Sequence, residues 1–407
     1  MESQLTPDSP GGRRDLMCAS FNQDTTSLSV GTKTGYRLFS VTSVDKMDCI
    51  HEGVECSDIY IVERLFSSSL VVVVSLSMPR RMNVYHFKKG TEICNYSYSN
   101  SILSVRLNRQ RLVVCLEESV YIHNIKDMKL LKTLLNTPSN PSGLCALSVN
   151  HGNSYLAYPG SATNGEIIVY DANILSTVTL IPAHDSPLAA LSFNASGTKL
   201  ASASEKGTVI RVFTVPEGQK LFEFRRGMKS QQEESPTWSA YVGKMFTAAS
   251  TYLPAQVSDM MHQDRAFATV RLNVCGQKNV CALTTIQKLP RLLVASSDGH
   301  LYIYNLDPQD GGDCVLVQTH RLFEVDEEPA EGKGGEGPEE IPPQPTNQSY
   351  AATVALPSSP PTSTTLMGYS EDGGAQRGEV IPEHEFAEGP VCLDDENEFP
   401  PVGNLSN

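Results

Sequence analysis

Arg111-Leu112-Val113-Val114-Cys115 is a short apolar run, and Val120-Tyr121-Ile122-His123 follows it after a polar turn. β-Branched and aromatic residues bounded by turn residues read as two strands of a hairpin. The same pair recurs in both directions along the chain. Toward the N-terminus the first strand reappears as Ser69-Leu70-Val71-Val72-Val73 and Ser27-Leu28-Ser29-Val30-Gly31. Toward the C-terminus it reappears as Ser154-Tyr155-Leu156-Ala157-Tyr158, Lys199-Leu200-Ala201-Ser202-Ala203 and Arg291-Leu292-Leu293-Val294-Ala295. The starts are 42, 42, 43, 45 and 92 residues apart. Partner strands follow at Tyr36–Phe39, Met82–His86, Ile167–Tyr170, Val209–Phe213 and Leu301–Tyr304. Phe21-Asn22-Gln23-Asp24-Thr25 and Phe193-Asn194-Ala195-Ser196-Gly197 are matching turns.

A period of about 40–45 residues with four strands per unit marks a WD40-type β-propeller blade. The spacing therefore predicts an all-β fold over residues 15–323, with seven blades, because the last interval is twice the others. The sixth blade should be incomplete. Met228–Pro236 is polar and strand-poor, Tyr241–Arg265 is a long mixed segment, and only Ala266–Leu272 reads as a strand. Residues 324–407 hold 12 of the 25 prolines, 18 of the 46 acids and 2 of the 32 bases. Such a tail cannot bury enough apolar surface to offset its chain entropy and is expected to be disordered.

The remainder carries 28 acids and 30 bases. A near-neutral body argues against broad nucleic-acid binding, which needs a large basic surface. It leaves room for a local basic pocket that takes an anionic headgroup. None of the ten cysteines forms a CxxC pair, and several sit inside apolar strands, as reduced cytosolic thiols do. Met1-Glu2-Ser3-Gln4 has no leader pattern, and no apolar run approaches the length of a membrane span, Leu70–Ser75 being far too short. Phosphate-loop, GxSxG, HExxH and paired-cysteine zinc patterns are all missing, so neither enzyme, cofactor nor metal chemistry is expected. His184-Asp185-Ser186 has triad residue types, but adjacency is not triad geometry, and His184 reads as structural.

Two constellations point to an anion. Ser202 and Ser204 share a strand face, Gly207 sits in the following turn, and Thr208 and Arg211 lie beyond it. Small hydroxyls and a glycine let backbone N–H groups approach a phosphate, and arginine adds charge. Arg225 and Arg226 end another strand, where neighbouring side chains serve opposite faces. From spacing alone, the first constellation also reads as a tight hairpin and the second as two solvated cations.

Phe224-Arg225-Arg226-Gly227 resembles the FRRG signature of the PROPPIN family, and the surrounding text resembles its WIPI branch. The resemblance covers about residues 15–323. It implies a first phosphoinositide site at Ser202, Ser204, Gly207, Thr208, Arg211 and Arg225. It implies a second site that begins at Arg226 and Gly227. The partner residues of that second site lie on three strands that the family has near Lys229–Ser235 and this chain lacks. Tyr241–Arg265 matches the family's membrane-inserting loop, with Met245, Phe246, Tyr252 and Leu253 as its apolar residues. The implied function is a cytoplasmic effector recruited peripherally to phosphoinositide-containing autophagic and endosomal membranes. There it would recognise phosphatidylinositol 3-phosphate, and the 3,5-bisphosphate, and recruit autophagy proteins. A protein scaffold with lost lipid binding is the competing class. Arg106, Arg109 and Arg111 form a basic cluster that reads as an acidic-partner contact or a solvated edge. Asp394–Val402, around Phe399, has the form of a peptide that adds a strand to ubiquitin-like autophagy modifiers.

Overall fold

The computed structural model describes residues 16–150, 152–225, 267–272, 278–323 and 376–377. These residues form an all-β propeller with six four-stranded antiparallel blades and no helix among them. The first blade is β1 (Leu16–Phe21), β2 (Ser27–Thr32), β3 (Tyr36–Ser40) and β4 (Asp48–Gly53). The second is β5 (Ile59–Arg64), β6 (Leu70–Ser75), β7 (Arg81–His86) and β8 (Thr91–Ser97). The third is β9 (Ser104–Leu107), β10 (Arg111–Cys115), β11 (Ser119–Asn124) and β12 (Leu130–Leu135). The fourth is β13 (Ala146–Leu147), β14 (Tyr155–Pro159), β15 (Gly165–Asp171) and β16 (Ser176–His184). The fifth is β17 (Leu188–Phe193), β18 (Lys199–Ser204), β19 (Val209–Thr214) and β20 (Lys220–Arg225). A short β21 (Ala268–Thr269) precedes the last blade, which is β22 (Asn279–Ile286), β23 (Leu289–Ser296), β24 (His300–Asn305) and β26 (Val315–Arg321). Between β24 and β26, β25 (Gly312–Asp313) leaves the blade to pair in parallel with β21. β27 (Gln376–Arg377) pairs with β8.

The apolar runs are continuous because each central strand is covered on both faces. Successive side chains alternate between faces. On β6, Val71 and Val73 pack with Tyr36 and Leu38 of the first blade, while Leu70, Val72 and Val74 pack with Leu112 and Val114 of the third. On β10, Val113 and Cys115 turn the other way, toward Leu156 and Tyr158 of the fourth. Tyr155 and Ala157 of β14 then meet Leu200 and Phe213 of the fifth. The last blade packs Leu293, Leu301 and Ile303 against Leu28, Val30 and Phe39 of the first. His320 Nε2 lies 2.7 Å from the Val44 carbonyl oxygen at that junction.

The turns repeat as well as the strands. Asn22 Oδ1 accepts from Ser27 N–H at 3.0 Å, and Asn194 Oδ1 accepts from Lys199 N–H at 2.9 Å. Asn108 Oδ1 does the same for Arg111 N–H at 2.7 Å. An asparagine at this place closes the turn by supplying an acceptor to the start of the next strand.

Of the expected strand Ala266–Leu272, residues 267–272 are described, and they hold a much shorter strand than the sequence suggests. Only Ala268–Thr269 pairs, through Phe267 C=O accepting from Gly312 N–H at 2.7 Å and Thr269 C=O accepting from Cys314 N–H at 2.8 Å. Val270–Leu272 finds no ladder among the described residues, so its β-propensity goes unused.

Candidate functional site

The fifth blade builds one polar face through its register. Ser202 of β18 lies opposite Arg211 of β19, and Arg211 lies opposite Glu223 of β20. Val209 lies opposite Arg225, which puts Arg225 two residues along the same face. Ser204 is two residues from Ser202 and also buried. Thus Ser202, Ser204, Arg211, Glu223 and Arg225 share the face that turns toward the fourth blade. Arg211 Nη1 donates to the Ala183 carbonyl of that blade. Leu200 and Phe213 anchor the same face in the apolar core beneath.

The turn after Ser204 is held by Gly207 N–H, which donates to Ser204 C=O at 2.8 Å. Gly207 has φ of 61°, the left-handed region that a side chain disfavours. Thr208 follows at the exposed lip. The spacing that singles out Ser202, Ser204, Gly207, Thr208, Arg211 and Arg225 therefore corresponds to one hairpin and its neighbouring strand end. Arg226, Gly227, Met245, Phe246, Tyr252 and Leu253 lie outside the described residues, as does the tail segment around Phe399.

Two residues of this cleft are not part of the sequence-based set. His184, at the end of β16, brings Nε2 to 2.9 Å from Ser202 Oγ. The backbone opposite leaves it room, because Gly165 lies across from His184 and a Cβ there would come within 2.4 Å of the histidine Cβ. Burial, and then the Arg211 charge, push its pKa down, favouring the neutral imidazole. Glu223 is the second. Arg211 Nε donates to its Oε2 at 2.9 Å, Lys220 Nζ to the same oxygen at 3.4 Å, and Arg225 Nη2 to Oε1 at 3.2 Å. The hydrogen bond from Arg211 is the main reason its pKa is lowered. The Arg211 and Glu223 side chains are 26% and 21% exposed. One carboxylate thus holds three cations in a partly open cleft, where an entering phosphate would compete with it for the same donors. The pairing of residues 211 and 223 is visible only once the strands are in register.

The three arginines of the third blade do not act together. Arg106 Nε donates to Cys145 C=O at 3.1 Å, and its Nη1 lies 3.5 Å from Glu63 Oε1. The Arg109 guanidinium stacks 4.2 Å over the Phe66 ring. Arg111 Nε donates to Ala172 C=O at 2.7 Å. Each ties its blade to a neighbour, whereas the spacing offers a solvated edge or an acidic-partner contact. Arg106 and Glu63 also line a cavity where the first strands of the blades converge, with Ser20, Tyr60 and Ser104. Among the described residues no group of three His, Cys, Asp or Glu side chains is placed to hold a metal ion. No helix there is long and apolar enough to cross a membrane.

The chain is similar to several curated proteins along nearly its whole length. It is 64% identical to the Homo sapiens "WD repeat domain phosphoinositide-interacting protein 1", covering 99% of this chain and 97% of that one. It is 53% identical to the Gallus gallus "WD repeat domain phosphoinositide-interacting protein 2", over 96% and 97%. It is 37% identical to the Caenorhabditis elegans "Autophagy-related protein 18", over 74% and 84%. Among solved structures, Kluyveromyces lactis Hsv2 superposes with a TM-score of 0.58 at 17% identity, over 76% of this chain and 99% of that one. KlAtg21, solved in complex with the coiled coil of AgAtg16, gives 0.60 at 23% identity, over 76% and 100%. The PROPPIN family model matches residues 15–232 and 228–323. With the family model across the propeller and relatives this similar at full length, the chain belongs to the PROPPIN family.

Proposed function

We propose that this chain is a non-enzymatic peripheral membrane protein that binds phosphatidylinositol 3-phosphate, and the 3,5-bisphosphate, through the cleft between the fourth and fifth blades. The observation that carries this reading is the single polar face of Ser202, Ser204, Arg211 and Arg225, joined by His184 across the cleft. Hydroxyls, an imidazole and two guanidiniums within one register suit a phosphorylated ring. The names of the relatives, phosphoinositide-interacting and autophagy-related, support the same ligand class and an action on autophagic and endosomal membranes. Recruitment of further autophagy proteins follows from the same kinship.

The propeller is best read as seven-bladed over 15–323 with an incomplete sixth blade, followed by a separate acidic tail over 324–407. Two facts support the gap. The two pieces of the family match meet at residues 228–232. The alignment to the human relative runs over 439 positions, at least 32 more than this 407-residue chain can fill. On this reading the site that starts at Arg226 and Gly227 lacks its partners. The loop over 241–265, with Met245, Phe246, Tyr252 and Leu253, adds apolar insertion to headgroup capture.

Flotation with phosphatidylcholine vesicles, with and without phosphatidylinositol 3-phosphate, tests the proposal. Binding should require the phosphorylated lipid and should vanish in Arg225→Ala. Arg226→Ala should cost much less. Equal flotation on both vesicles would overturn headgroup recognition, and none on either favours the second reading, a protein scaffold without lipid binding. The triple engagement of Glu223 is the observation on that side, since it already occupies donors of Arg211, Lys220 and Arg225 that a phosphate would need.

A further inference from the structure

The outer strand of a propeller blade has one unpaired edge, a row of backbone N–H and C=O groups ready to template another strand. Among the described residues, only the second blade has that edge paired. β27 lies antiparallel to β8, with Gln376 opposite Ser97 and Arg377 opposite Tyr96. The direction of the free groups is fixed by the inner side. Tyr98 N–H donates inward to Arg80 C=O at 2.9 Å. By the two-residue alternation of an antiparallel ladder, the Ser97 N–H points outward, at Gln376.

β8 is also anchored to its neighbour. Cys94, Asn95 and Tyr96 are buried on β8, as Ile181, Ala183 and His184 are on β16, whereas β12, β20 and β26 are exposed or half-exposed along their length. Tyr96 Oη donates to Met128 C=O at 2.7 Å, and Tyr98 Oη is 2.8 Å from His123 Nε2. These bonds anchor the edge to the third blade. A preformed edge offers strand pairing without first ordering itself, which lowers the entropy cost of a peptide that docks there.

We propose that the outer edge of the second blade is a strand-addition site, occupied in cis by the chain's own segment at Gln376-Arg377, so that an extended peptide reaches it only by displacing the tail. The 52 residues from 324 to 375 are ample tether to reach the edge. Tethering sets the local concentration of the cis strand on the order of 1 mM, which masks the edge from free peptides at micromolar levels. The bridge is only two residues long, so it can open and exchange.

Amide-resolved hydrogen exchange on the full chain tests the cis contact. Gln376→Pro removes a backbone donor and disfavours pairing. Exchange at Ser97 should become about tenfold faster or more, because its outward amide loses protection. The inward Tyr96 amide should be unchanged. A labelled peptide of residues 370–383 then tests the site itself. By fluorescence polarisation it should bind the full-length Gln376→Pro chain about tenfold more tightly than the parent. Unchanged exchange at Ser97, or equal peptide affinity for the two chains, would overturn the proposal.

Discussion

Among the described residues, the second and third blades are covered on both faces, and the fifth is covered on one. In β6 and β10 every residue after the first is buried, and the alternate side chains enter two different cores. In the fifth blade only one set of alternate residues is covered. Leu200, Ser202 and Ser204 are buried toward the fourth blade, while Ala201 and Ala203 are half-buried on the reverse. On that reverse face Ile210, Phe222 and Phe224 are 48%, 49% and 42% exposed, although all three are large and apolar. The contrast separates two jobs. Blades enclosed on both sides supply stability. The fifth blade supplies a polar cleft on its covered face and, among the described residues, an apolar surface on the other.

Truncation in the enclosed blades should produce the largest effects. Leu112→Ala, at a fully buried position, should cost about 2–5 kcal/mol in chemical denaturation. Phe222→Ala should cost less than about 1 kcal/mol, since half its surface already meets solvent. A Phe222→Ala cost as large as that of Leu112→Ala would break the comparison, because it would mean the reverse face is covered. Next in size is a pH effect within the enclosed region. Burial lowers the His123 pKa to about 4. The unfolded chain therefore binds the extra proton first, and stability drains as pH falls from about 6.5 to about 4, by about 3 kcal/mol for this group. Glu63, raised to about 7 by burial, works in the opposite sense, gaining stability as pH falls through 7 toward its unfolded value. The signature of His123 is thus the difference between chains. Stability plotted against pH should be flatter for His123→Gln below pH 6.5, and parallel curves would refute the assignment.

Smaller effects test the fifth blade. Arg225→Ala should abolish flotation with vesicles containing phosphatidylinositol 3-phosphate. Glu223→Gln should raise it about two- to fivefold, because a neutral amide no longer competes with phosphate for Arg211 and Arg225. Weaker flotation of Glu223→Gln would mean that the carboxylate positions the guanidiniums rather than blocking them. Least of all, Ile210→Ser should alter thermal stability by no more than about 0.5 kcal/mol. A larger loss, read by calorimetry, would again show that face to be enclosed.

The strands were legible in the sequence for the same reason that they are stable. Two-sided burial writes Leu-Val-Val-Val-Val at β6 and Leu-Val-Val-Cys at β10, and the period of these runs gives the blades. The serine pair was legible because period-two spacing survives into the structure at Ser202 and Ser204. What escaped was everything that depends on pairing between strands. Arg211 and Glu223 are twelve residues apart, and a register shift between Val212 and Phe213 separates any simple count from the true pairing. His184 meets Ser202 from another blade, so its local sequence spoke only of structure. Arg106, Arg109 and Arg111 are close in sequence, but Arg106 and Arg111 bond to Cys145 and Ala172 of the fourth blade and Arg109 stacks on Phe66 of the second, contacts that no local spacing announces.

The junction of His320 with Val44 has a consequence for synthesis. The two residues are 276 positions apart, and the apolar packing of Leu28 and Val30 against Leu293 and Ile303 spans a similar distance. As the chain leaves the ribosome, the first five blades can stack in order, each on its predecessor. The first blade must meanwhile hold Leu28 and Val30 uncovered until the last strands emerge. Closing a contact of such long range is slow relative to local hairpin formation. The exposed face is then a natural station for chaperones during that interval, and the closing step sets the time at which the nascent chain stops being vulnerable to aggregation.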